Sequence, residues 1–197
     1  MRPLHIPIAI LISKFSKLSL GCPQIVSREE WGAWPANCSD GVINESSQYL
    51  FVHHTAEPEC YSHEACIEQV KYVQYLHQVK NNWCDVGYSF IIGNNGEIFE
   101  GMGWGKQGHH TKNFNELALA VVITGNFMEH LPSPAVEKSL KELIDCGVNR
   151  GELKENFYLV GHRQNYCSKT LCPGDHLLEK LKSGFKNYVY GRQKVDC

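Results

Sequence analysis

Nine cysteines in a chain of 197 residues limit what this sequence can become more than any other feature. A reducing compartment rarely tolerates so many free thiols, so the count implies an oxidising destination and a disulfide framework. The odd number leaves at least one thiol outside that framework, as a free surface cysteine, half of an intermolecular bridge or a metal ligand. The sequons Asn37-Cys38-Ser39 and Asn44-Glu45-Ser46 fit the same secretory route. Near the start, Arg2, a short apolar run at residues 6–12 and the small residues of Ser19-Leu20-Gly21 read as a signal peptide, although Lys14 and Lys17 interrupt it. The expected division is a leader over residues 1–21 and one secreted, extracellular domain over residues 22–197. A chain of this length buries one ordinary core.

A formal net charge of -2, with no block of like charge, gives nothing to draw a phosphate backbone, so nucleic acid is not expected as a partner. No stretch approaches the about 18 apolar residues that span a bilayer, so no membrane role is expected either. Residues 48–55 read as a buried strand around Tyr49-Leu50-Phe51-Val52. A helix follows Ser62, with Cys66, Val70, Val73 and His77 at helical spacing up to Asn81-Asn82. Asn94-Asn95-Gly96 joins two short runs into a hairpin, and the glycines from Gly101 to Gly105 force a loop. Residues 117–124 are nearly continuously apolar, which suits a central strand covered on both faces. Ser133-Pro134 opens a second helix that Asn149-Arg150-Gly151 stops. Residues 157–160 predict a short strand, and a last helix starts near Asp175 with Leu178, Leu181 and Phe185 inward. Strands interleaved with helices predict an α/β fold with a single central sheet flanked by helices.

Three side chains able to hold a metal fall where strands end or loops begin: His53, His162 after Tyr158-Leu159-Val160-Gly161, and Cys172 before Pro173-Gly174. A catalytic zinc takes about three protein donors and keeps a position for water, and imidazole and thiolate both suit it. Spacing alone leaves another assignment open, in which the two histidines are hydrogen-bonded core residues and Cys172 is half of a disulfide.

Four segments carry a resemblance: Val52-His53-His54-Thr55, Trp83-Cys84-Asp85-Val86-Gly87-Tyr88-Ser89-Phe90, Tyr158-Leu159-Val160-Gly161-His162-Arg163-Gln164 and Thr170-Leu171-Cys172-Pro173-Gly174. In that order they resemble the successive signatures of the peptidoglycan recognition proteins, and the resemblance runs from about Ile25 to Tyr188. It implies a mixed sheet and, for amidase members, a zinc ion held by His53, His162 and Cys172. Non-catalytic members typically have serine in place of that cysteine, so Cys172 implies a zinc-dependent N-acetylmuramoyl-L-alanine amidase acting in innate immunity. A recognition receptor that binds wall fragments without cutting them is the alternative. A disulfide-stapled structural protein is a more distant one.

The same resemblance places Tyr88 beside the zinc-bound water and gives Thr170 a supporting role near the metal. It implies a groove for bacterial peptidoglycan and muropeptides lined by His77, Asn82, Trp83, Tyr88 and His110, in a protein expected to be a monomer. The pair before the motif cysteine, Asn82-Trp83, mixes the Gly-Trp associated with diaminopimelate and the Asn-Phe associated with lysine. For the cysteines, the resemblance implies Cys60–Cys66, Cys38–Cys84 and Cys22–Cys146, which leaves Cys167 and Cys197 either to each other or both unpaired.

Overall fold

The computed structural model describes residues 21–191. The expected leader, but for Gly21, and the expected Cys167–Cys197 bridge lie outside the described residues. Within them the elements run β1 (Ile25–Val26), β2 (Ser47–His54), α1 (His63–Tyr75), a π turn (Leu76–Lys80), β3 (Phe90–Ile92) and β4 (Ile98–Glu100). They continue with β5 (Ala118–Ile123), α2 (Pro134–Arg150), β6 (Leu153–Gly161), a 3-10 turn (His162–Gln164) and α3 (Asp175–Gly184). The strands form one six-stranded sheet in the order β1-β4-β3-β5-β2-β6. Only β3 and β4, the predicted hairpin, pair antiparallel, so the sheet is mixed.

Alternation along β2 decides which layer each residue enters. Leu50 and Val52 join Leu119, Val121 and Ile123 of β5 in a cluster with Leu140 and Leu143 of α2 and Leu177 and Leu181 of α3. Phe51 belongs to another cluster, with Phe114, Ala118, Ala120 and Val160. Helix α1 covers a third cluster, packing Val70 and Val73 against Ile91, Phe99 and Val122. Every residue of β5 is buried, as a strand covered on both faces requires. His53 follows Phe51 by two and shares its face, close to the C-terminal ends of three adjacent parallel strands. In open α/β sheets that edge is where ligands bind.

Three elements differ from the expectations. Strand β6 is longer than 157–160, starting at Leu153, because a sheet-edge strand carries polar residues such as Lys154 and Glu155 that its apolar core does not reveal. In α3 the buried leucines are Leu177 and Leu181, whereas Leu178 and Phe185 are only partly buried. The α-helix after Ser62 ends at Tyr75 and widens into the π turn, whose larger ring turns His77 and Gln78 inward.

Disulfides join Cys22 to Cys146, Cys38 to Cys84 and Cys60 to Cys66. The first two tie the segment before β2 to α2 and to the loop before β3, and the third joins the loop after β2 to the start of α1. Two glycines allow the loops beside that second bridge to touch: a Cβ on Gly87 would lie 2.4 Å from the carbonyl oxygen of His109, and one on Gly108 2.3 Å from that of Gly87. Both contacts are with backbone and cannot be relieved by a rotamer change. Gly87→Ala is therefore expected to lower stability by about 1–3 kcal/mol. An unchanged denaturation midpoint would show that the loops separate freely.

Candidate active site

His53 is 1% exposed, and its two ring nitrogens face different groups. Nδ1 lies 3.7 Å from Sγ of Cys172, and Nε2 lies 3.2 Å from Oγ1 of Thr111. His162, just past the end of β6, brings its ring centroid to 4.4 Å from that of His53. One donor atom from each of His53, His162 and Cys172 can be chosen so that all lie within 4.8 Å of one another. A tetrahedral zinc with bonds of about 2.0–2.3 Å needs donors about 3.3–3.8 Å apart, so this set fits a zinc ion with slight closure. Burial lowers both histidines, His53 well below the usual range and His162 to about 4, so each ring is neutral, the form that ligates. Cys172 is the free cysteine among the described residues; burial pushes its thiol up to about 12, opposed by the backbone N–H of His54 and by Arg163.

The loop carrying Cys172 is held from several directions. His54 N–H donates to its Sγ at 3.4 Å, and the Cys172 N–H donates to Oγ1 of Thr170 at 3.1 Å. Thr170 thus braces the loop. Arg163 holds it from the other side: its backbone N–H donates to the Cys172 carbonyl at 2.7 Å, while its guanidinium donates to the Leu171 carbonyl and pairs with Asp175. Partners that orient a metal ligand typically carry about 10–100-fold in affinity. Arg163→Gln is expected to weaken zinc binding by about that factor, measured by competition with a chromophoric chelator. Unchanged affinity would show that the loop holds itself.

Half-buried Tyr88 places its ring 5.1 Å from His53 and 5.3 Å from His77. Burial first, and then the nearby Cys172, push its phenol further above its usual range, so it keeps its proton and donates. His77 accepts the Gly87 N–H at Nδ1, 2.8 Å away, which leaves Nε2 to carry the proton of the neutral ring. Burial lowers its pKa to about 4. Trp83 packs on His77 with centroids 4.5 Å apart, helped by a 2.9 Å hydrogen bond from its backbone N–H to the His77 carbonyl. Asn82 between them is exposed and takes φ 57°.

His110 faces inward. Its Nδ1 lies 3.1 Å from Thr111 Oγ1 and its Nε2 3.2 Å from the Ala118 carbonyl, so both nitrogens are engaged within the protein. Through Thr111 it supports His53. Sequence reasoning did not single out Thr111, which meets His53, or Arg163, which holds the Cys172 loop.

Residues 44–175, which contain His53, Tyr88, His162 and Cys172, match the model of the family described as N-acetylmuramoyl-L-alanine amidase. Over 167 residues the chain is 37% identical to peptidoglycan recognition protein 1 of Mus musculus, covering 84% of this chain and 90% of that one. The chain belongs to the peptidoglycan recognition protein family. Among other members, the N-acetylmuramoyl-L-alanine amidase of Homo sapiens is 35% identical over 173 residues, which make up 86% of this chain and 30% of that longer protein. A solved structure of a tyrosine-to-phenylalanine mutant of Drosophila PGRP-LB in complex with tracheal cytotoxin superimposes with a TM-score of 0.80 at 30% identity, over 84% of this chain and 96% of the other. The mixed sheet flanked by helices is thus the fold of the peptidoglycan recognition proteins.

Proposed function

We propose that this protein is a secreted zinc amidase that hydrolyses the bond between the lactyl group of N-acetylmuramic acid and the L-alanine of the peptidoglycan stem, in the setting of innate immunity. In this reading residues 1–21 are the leader and 22–197 the working domain. The observation that carries it is the convergence of His53, His162 and Cys172 beside the proton-bearing Tyr88. Bound there, zinc supplies a water acidic enough to ionise near neutral pH and polarises the scissile carbonyl. Tyr88 donates to the oxygen on which negative charge develops. Thr111 fixes the His53 ring, and Thr170 and Arg163 hold Cys172 in place. His77, Trp83 and the exposed Asn82 line the stem peptide's path.

The test is zinc content of the purified protein together with release of stem peptides from bacterial wall, with and without a chelator. About one zinc per chain and chelator-sensitive release are expected. Release that survives complete zinc removal overturns the mechanism. Binding of wall fragments by the zinc-loaded protein without any release would make it a recognition receptor instead.

A further inference from the structure

The sequons Asn37-Cys38-Ser39 and Asn44-Glu45-Ser46 have no part in the chemistry of the metal site, and the fold treats them differently. Asn44 and Glu45 form an exposed crest between anchored residues. Before it, the Ile43 N–H donates to the Gly105 carbonyl at 2.9 Å; after it, the Ser47 N–H donates to the Glu152 carbonyl at 2.8 Å. The Ser46 hydroxyl donates to the Gly151 carbonyl. The crest is thus held at both feet, while the Asn44 carboxamide has no hydrogen-bond partner among the described residues.

Asn44 stands on the rim of a surface hollow of about 420 Å³ that also displays Val42 and Leu117, 60% and 53% exposed. A bulky hydrated group on Asn44 would cover both apolar side chains. The crest also lies at the end of β2 remote from the metal ligands. At about 3.3 Å per residue, His53 is about 20 Å along the strand from Ser47. Asn37 is placed otherwise. Its N–H donates to the Cys84 carbonyl at 2.8 Å, and its neighbour Cys38 is bridged to Cys84. The first sequon is therefore tied at two points to the loop of Trp83, where a glycan would crowd the path proposed for the stem peptide.

We propose that Asn44, and not Asn37, is a glycosylation site, carrying an N-linked oligosaccharide that begins with N-acetylglucosamine and shields Val42 and Leu117. This rests on the reading of the protein as secreted, because sequons are modified in the secretory route. In the transfer, Nδ2 of Asn44 bonds to the anomeric carbon of the first sugar. The polyprenyl diphosphate that carried the oligosaccharide leaves with the electron pair of the broken C–O bond, and the proton lost by Nδ2 passes to a base of the transferase.

The experiment produces residues 1–197 in cultured eukaryotic cells and weighs the protein from the medium before and after a peptide N-glycosidase, which leaves an aspartate where a glycosylated asparagine stood. Loss of a single oligosaccharide is expected, with the aspartate found at position 44. Asn44→Gln is expected to abolish that loss, as is Ser46→Ala, which breaks the sequon and spares the asparagine. Ser46→Thr restores a hydroxyl and is expected to keep it, and Asn37→Gln to leave it unchanged. Removing the glycan from the folded protein is expected to raise its binding of an apolar dye. Secreted wild type whose mass the enzyme does not change overturns the proposal, as does a loss that persists in Asn44→Gln or diminishes in Asn37→Gln. Unchanged dye binding overturns the shielding. Wild type retained in the cytosol fails the secreted reading itself, and with it the proposal, which separates the two failures.

Discussion

Replacing Cys172 by serine is expected to bring wall hydrolysis down to background while the chain still folds and still binds muropeptides. The thiol sits 3.7 Å from Nδ1 of His53 and supplies the only sulfur donor of the cluster. A serine hydroxyl nearly fills the same space but is a poor zinc donor at neutral pH, so two imidazoles would be left to hold the ion. Polarisation of the carbonyl by zinc is worth several kcal/mol, so its loss costs on the order of a thousandfold or more. The proposed groove wall of His77, Asn82 and Trp83 includes no atom of Cys172, which is why fragment binding should persist. The check is hydrolysis by the mutant and the wild type side by side at trace zinc, with binding measured separately. Equal rates would remove Cys172 from the chemistry.

Tyr88→Phe isolates a different contribution. The phenyl ring retains the packing on His53 and His77 and contributes no zinc ligand, so metal content and melting temperature should stay near those of the wild type. What disappears is one protonated donor. Loss of a single oxyanion donor costs about 2.7–4 kcal/mol, so turnover is expected to fall about 10²–10³-fold at full zinc occupancy. Turnover within a factor of about two of the wild type would assign Tyr88 to packing alone.

The convergence of His53, His162 and Cys172 was legible because each stands where an apolar strand ends or a Pro-Gly turn begins, and because four short segments around them carry the family resemblance. Strands β2 and β5 were legible for a simpler reason: both are buried runs with few polar interruptions. The π turn was not. His77 continues the helical spacing of Val70 and Val73, and nothing in composition announces that the helix widens after Tyr75 to bring His77 against Trp83 and Tyr88. The surroundings of His109 and His110 were equally hidden. Which neighbour turns inward depends on Thr111 and the Ala118 carbonyl claiming the ring of His110, and on Asp40, far away in the chain, claiming that of His109. Arg163 was quoted within a motif, but its grip on the Cys172 loop exists only once β6 and α3 lie side by side.

The bridge between Cys38 and Cys84 has a consequence for how the protein can be made. It closes a loop with a sequence separation of 46, two positions from Asp40 and one from Trp83. By loop entropy alone such a cross-link contributes about 4 kcal/mol. None of His53, His162 and Cys172 belongs to a bridge. With Cys38 and Cys84 both replaced by alanine and the bridges Cys22–Cys146 and Cys60–Cys66 intact, the chain should therefore still bring together His53, His162 and Cys172 and load zinc, yet leave the segment of Asp40 untethered from the loop of Trp83. Such a preparation passes a metal assay and fails a ligand assay.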